Sequence, residues 1–261
     1  MKNHFKLFIS VILLVVTVVS ARGQVQASAK IYTKKVRMED FHNRTVKVVV
    51  NDSIPGVMTF RAEVISRWRV SPYEFCTAEE YDRLHSDNDY YFLHFTVQDG
   101  IEFLSLDKGG IPKDDDTYRR PFNVLKIPFA REKTYTGIEE SLYAAYLDII
   151  QSFAEEAMAS DKVGYAGLTR YNQGNLKGKT IYFIPDDIST ILKEERENAV
   201  AAFSITPAAV SDKTLCYKIA ISADTHEVYY YSRDRYRAEV LGEFSKEEIK
   251  MFERRNAAIV R

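Results

Sequence analysis

The feature that most constrains this chain is the run Val46-Lys47-Val48-Val49-Val50 together with the break and the helical pattern after it. A β-branched run of this kind suits a strand covered on both faces. Asn51-Asp52-Ser53-Ile54-Pro55 then breaks it, with Pro55 suited to a first helical turn, and Val57, Phe60, Val64 and Trp68 recur at helical spacing. A buried strand leading directly into a one-sided helix opens an α/β unit, so the expected fold class is α/β, with mixed sheets covered by helices.

The next segments extend that unit. Val70 to Cys76 reads as a short strand, with Pro72 placing it at an edge or a strand start. Thr77-Ala78-Glu79-Glu80 has the form of a capping box ahead of a short helix through Leu84. Tyr90 to Val97 and Ile101 to Leu106 flank Asp99-Gly100 and read as a hairpin, because Asp-Gly supplies positive φ. Lys108 to Arg131 reads as a long loop containing a strand at Asn123 to Pro128. Thr136-Gly137-Ile138-Glu139 is a second capping box, opening a helix with an apolar stripe through Ile138, Leu142, Ala145, Ile149, Phe153 and Ala157.

Past the polar, Gly-containing stretch 164–178, read as a connection, the pattern returns. A single offset of 135 sets Pro207 under Pro72, Phe203 under Trp68, Val200 under Ile65, Ile205 under Val70 and Ile181 under Val46. This predicts an internal duplication: a strand at Thr180 to Ile184, a helix from about Ile188 to Ala202, and a hairpin from Leu215 to Tyr231. A last helix starts at the capping box Ser245-Lys246-Glu247-Glu248. The expected halves are 46–163 and 179–261, with 24–45 a tether or an edge strand.

Residues 1–23 read differently. Lys2 and Lys6 precede an uncharged run from Leu7 to Val19, the two leading regions of a secretory signal peptide. Spanning a bilayer takes about 20 apolar residues, which this run does not reach. Ala21 and Gly23 place the cut before Gln24, and no cysteine stands near it to carry a lipid anchor. The expectation is an exported protein, periplasmic or extracellular, with no membrane span in the mature chain. Cleavage removes Lys2, Lys6 and Arg22, leaving 33 basic residues against 37 acidic, a net charge of −4. That balance points to no nucleic acid and no anionic lipid as partner.

The residues that carry chemistry do not assemble into a catalytic template. The histidines, His4, His42, His85, His94 and His226, lack zinc-ligand spacing, and His94 reads as a satisfied structural histidine within a strand. Ser105-Leu106-Asp107-Lys108 matches Ser-x-x-Lys, but it ends a strand and lacks its companion motifs. Asp114-Asp115-Asp116 lacks the alternation of a calcium loop, and Asn43-Arg44-Thr45 is an incidental glycosylation acceptor. No catalytic, metal or cofactor-binding residue is therefore assigned, and no cofactor is expected. Cys76 and Cys216 either pair in a disulfide or are separate buried thiols. The tyrosine clusters Tyr90-Tyr91 and Tyr229-Tyr230-Tyr231 read as cross-strand packing.

The run Trp68-Arg69-Val70-Ser71-Pro72-Tyr73-Glu74-Phe75, with Asp89-Tyr90-Tyr91-Phe92-Leu93 beyond it, resembles uncharacterised exported proteins of the Bacteroidetes over about residues 45–110. The order of elements is also similar to the α/β envelope domain of the curli secretion lipoprotein and of the outer-membrane activators of penicillin-binding proteins. That second resemblance implies a scaffold or partner role, though those proteins carry a lipidated cysteine that this chain lacks, and no functional residue transfers. The expected function is a non-catalytic binding or assembly protein of the bacterial envelope, whose partner is another envelope protein. The alternative is a hydrolase of an envelope polymer, glycan or peptidoglycan, using two carboxylates about 5 to 9 Å apart.

Overall fold

The structure, a computed structural model, describes residues 33–110 and 121–261. The strands are β1 (Thr45–Val49), β2 (Tyr73–Cys76), β3 (Tyr90–Gln98), β4 (Ile101–Lys108) and β5 (Phe122–Arg131), then β6 (Thr180–Tyr182), β7 (Ala199–Ile205), β8 (Leu215–Ser222), β9 (Val228–Arg235) and β10 (Ala258–Val260). The α-helices are α1 (Lys34–Met38), α2 (Val57–Arg67), α3 (Ala78–Leu84), α4 (Glu139–Ala159), α5 (Asp161–Ala166), α6 (Pro185–Lys193) and α7 (Lys246–Arg254). The strands form two five-stranded sheets, ordered β2-β1-β3-β4-β5 and β10-β6-β7-β8-β9.

The two sheets share one plan. In the first, β1 lies parallel to β2 and β3, and β3, β4 and β5 run antiparallel in succession. In the second, β6 lies parallel to β10 and β7, and β7, β8 and β9 run antiparallel in turn. The chain is therefore an α/β fold of two similar halves. They differ in how the edge beside β1 or β6 is filled. In the first half β2 comes directly after α2, whereas in the second the equivalent place is taken by β10, the last strand of the chain.

This difference corrects the gapless alignment. Val46 stands opposite Tyr91 and Ile181 opposite Val200, so offset 135 holds for β1 and β6, but β3 and β7 match at 200 minus 91, or 109. Residues 199–205, expected in part as helix, are strand β7. The helix ends at Lys193, and Glu195 (φ 45°) and Asn198 (φ 59°) turn the chain in the left-handed region before the strand. Two other expectations also change. Residues 34–38 and 41–43 are helical turns rather than tether or edge strand, and 161–173 is a short helix followed by a 3-10 stretch rather than open connection. The acidic triplet at 114–116 lies outside the described residues, as does the expected signal peptide.

Helix α4 is the organising element. Its predicted stripe is buried from Leu142 to Ala157, with Ile138 half-buried as the N-cap, and Tyr143, Tyr146, Leu147, Ile150 and Ala154 widen the buried face. It needs so broad a buried face because it shares one continuous core with both sheets, reaching Leu93 and Phe129 of the first and Ala201 and Ile219 of the second, while Glu140, Ser152 and Glu155 keep one narrow face exposed. The outer face of the second sheet packs Val200, Ala202 and Tyr230 against Phe252 of α7. The outer face of the first packs Val49, Cys76 and Phe92 against Tyr81 and Leu84 of α3.

The expected caps are formed with variations. Ser245 and Glu248 make the full reciprocal box. Thr77 accepts from the Glu80 amide at 3.1 Å, but the Glu80 carboxylate goes to Lys47 Nζ at 2.9 Å instead of back to the cap. At α4, Gly137 (φ 93°) prevents the helix from starting before Glu139. Glu139 still reaches back, accepting the Gly137 amide at 2.7 Å and the Thr136 amide at 2.8 Å.

Candidate functional site

Two cavities lie along the contact between the halves. The first, of about 490 Å³, opens where the end of β5 approaches β7. Phe129 and Phe203 come from the facing strands, Ile184 and Ile188 from the start of α6, and Phe244 from the turn before α7. Phe183 and Phe244 meet edge to face at 5.1 Å. Arg131 spans the mouth by donating through Nε to the Thr206 carbonyl at 2.9 Å, joining the two sheets. Glu243, which bonds the Ser204 hydroxyl, and Arg261 also line it. Thr206 Oγ1 is buried without a hydrogen-bond partner among the described residues, and Ile184 is 37% exposed. An apolar floor with a few polar groups at its margin is the general form of a binding site.

The second cavity, of about 450 Å³, lies between α4, the 3-10 stretch Gly167–Gln173 and the β8–β9 turn. His226, at φ 56° in that turn, points Nδ1 at Asp148 Oδ2, 2.7 Å away. A carboxylate on Nδ1 is how general-base histidines are oriented. Here the same oxygen accepts Arg67 Nη1 at 3.0 Å, and Arg67 continues to Glu63 and Glu195. Although burial opposes it, Glu195 and Glu63 hold the Arg67 guanidinium above its ordinary range. The group thus ties α2 and α4 to the second sheet, and its geometry is that of a clamp between halves.

Among the described residues, the carboxylate pair of a polymer hydrolase has one candidate member, Glu102. Burial pushes Glu102 above the usual carboxylate range; the bond from Tyr135 at 2.9 Å opposes this, while Glu132 and Glu139 reinforce it. Glu139 is already engaged by the Thr136 and Gly137 amides and by the Thr136 hydroxyl at 3.0 Å. Among the described residues no three His, Cys, Asp or Glu side chains gather as a metal site, and no helix is long and apolar enough to cross a membrane.

The other residues singled out in the sequence have structural places. His94 is buried and bonds Asp107 through Nε2 at 2.7 Å, and Ser105 bonds Thr96 at 2.9 Å within the sheet. Cys76 and Cys216 are free and buried, in strands of different sheets, so the pairing alternative is not formed. Burial raises the Cys76 thiol to about 11, which leaves it a weak nucleophile. Tyr91 and Tyr230 are buried against Asp40 and Glu248. The cleft residues Phe129, Arg131, Phe183 and Phe244 carry no local signal that unites them, because they converge from segments far apart in the chain.

By fold, this is an α/β protein of two similar five-stranded halves with an apolar cleft between them. No family model, curated protein or solved structure matches the chain.

Proposed function

We propose that this chain is an exported, non-catalytic binding or assembly protein of the bacterial envelope, and that its partner is a segment of another envelope protein seated in the cleft between the halves. The observation that carries this reading is the cleft itself, with phenylalanines from both halves and a mouth bridged by Arg131. Apolar walls of this size take up side chains of a partner segment, and the flanking Arg131, Glu243 and Arg261 offer it charged contacts. Export is supported by the basic start, the short uncharged run and the small residues Ala21 and Gly23 ahead of Gln24. The common plan of the two sheets, with one edge strand relocated to the chain end, fits an origin by duplication and later rearrangement.

Glu102, with its raised affinity for a proton, is what favours the rival hydrolase. The test is a photo-crosslinking residue placed at Ile184, activated in intact cells. The expected result is a discrete adduct with one envelope protein, and an amino terminus at Gln24 by mass spectrometry. Absence of an adduct, together with purified protein that cleaves peptidoglycan or glycan and loses this activity on Glu102→Gln, would overturn the proposal.

A further inference from the structure

A cavity over the face of a strand is lined by every second residue, whereas a cavity along its edge is lined by consecutive ones. The cleft between the halves is lined by Ala202, Phe203, Ser204, Ile205 and Thr206 in succession, so it runs along the edge of β7. That edge is uncovered because β6 is short. β6 has three residues against seven in β7, and their pairing ends at Tyr182 opposite Ala201. Within β7 the Ala199 carbonyl accepts the Ala223 amide at 2.8 Å, on the β8 side. Main-chain groups alternate sides along a strand, so those of Ala202, Ser204 and Thr206 point to the side that β6 leaves empty.

Among the described residues, the Ala202 carbonyl and the Ser204 amide and carbonyl have no hydrogen-bond partner. The next carbonyl in the series, that of Thr206, accepts Arg131 Nε at 2.9 Å, a side chain standing where the amide of a neighbouring strand would. The facing edge of β5 is closed by contrast. Pro128 has no N–H, its carbonyl accepts Tyr146 Oη at 2.6 Å, and the Arg131 carbonyl accepts the Thr134 amide at 3.0 Å. Unpaired strand edges invite the addition of another strand and are ordinarily blunted, as β5 is. At β7 the open edge instead faces the apolar walls of the cleft.

We infer that the segment seated in the cleft is an extended peptide that adds to β7 as a strand in the line of β6, with an apolar side chain at every second position. The inference rests on the binding role proposed above and specifies the conformation of what binds. The Ser204 amide and carbonyl pair with the main chain of the guest, which supplies affinity without regard to sequence, and pockets for alternate side chains supply specificity. Guest side chains on the Phe203 and Ile205 side meet Phe129 and Ile188. Those between them lie on the Ser204 side, where Glu243, bonded to the Ser204 hydroxyl, suits a polar or basic residue. A compact small molecule carries no main-chain groups at the strand repeat of roughly 6.6–6.8 Å, so the open edge selects a peptide. A second copy of the chain and one of its own segments outside the described residues are the other occupants that the experiment separates.

Selection of a phage-displayed library of random nonapeptides on the purified mature protein supplies the probes. In the free protein the Ser204 amide should exchange readily with solvent, and a selected peptide should slow it tenfold or more. N-methylation of such a peptide at alternate residues should weaken binding tenfold or more, while the intervening residues tolerate it. Ser204→Pro removes the outward amide without removing a bond to β8 and should weaken binding as much, whereas Ser204→Ala should not. Peptides that bind wild type but not Ile184→Arg, yet tolerate every N-methylation and leave the Ser204 amide unprotected, overturn the strand inference while the cleft reading stands. If no selected peptide is lost on Ile184→Arg, the cleft reading fails and the inference with it. Slow exchange at Ser204 in the free protein also overturns it: the occupant is then a second copy if dilution restores exchange, and the chain's own segment if it does not.

Discussion

At the residue scale, buried lysines are the costliest groups to place, and this fold pairs Lys218 and Lys47 with carboxylates from the start of a helix. Lys218 Nζ, 2% exposed, meets both Glu248 oxygens at 2.7 and 2.9 Å, and Glu248 also accepts Tyr230 Oη. Lys47 lies between Glu74 and Glu80 in the same way on the first sheet. Removing one member leaves the other charge buried, so Lys218→Ala should cost about 3–5 kcal/mol by urea unfolding, and Lys218→Met with Glu248→Leu should cost much less. Asp224 supplies a pH prediction. Against the opposing effect of burial, Ser222, the Asn198 amide and Lys179 lower its carboxyl from 3.8 to about 2. Its contribution is complete above the unfolded value and is lost as pH falls from about 4 toward 2, so Asp224→Asn should flatten the acid limb of stability there. An unchanged acid limb would contradict this.

At the element scale, the sheet edges are protected unevenly. Asn172 mimics a neighbouring strand, its side chain bonding both the amide and the carbonyl of Tyr231 at 2.8 Å, and so seals β9. Pro128 within β5 removes a donor from another edge, and Tyr146 Oη caps its carbonyl at 2.6 Å. Asn172→Ala should destabilise by about 1–3 kcal/mol and raise hydrogen exchange at the Tyr231 amide, with self-association at high concentration. Exchange there as slow as in wild type would mean that Asn172 does not seal the edge. The hairpin at Asp99-Gly100 is legible in the sequence because its chemistry is local: both residues take positive φ. Strand β7 is not, because Ala199-Val200-Ala201-Ala202-Phe203 is buried on both faces and an unbroken apolar run has no period to read. The Thr136 cap is half legible: the glutamate reaches back as its spacing predicts, but Gly137 moves the helix start.

At the scale of the whole molecule, the α/β class and the two halves are readable in the order of elements, whereas the cleft is not. Its walls depend on which edges of two sheets meet, and no spacing along the chain encodes that. The clamp of Arg67, Asp148 and His226 is likewise a product of assembly, joining residues from three elements. Asp148→Asn should lower the cooperativity of unfolding by loosening the halves, seen as a shallower urea transition; an unchanged slope would argue against a clamp. The central claim is that a segment of an envelope protein occupies the cleft. The most direct measurement places a photo-crosslinking residue at Thr134, on the same cleft, and compares wild type with Ile184→Arg in intact cells. Ile184 is exposed enough for the substitution to leave folding intact. The wild-type adduct with an envelope protein should disappear in Ile184→Arg while the melting temperature stays within a few degrees. Persistence of the same adduct at undiminished yield would contradict occupation of the cleft.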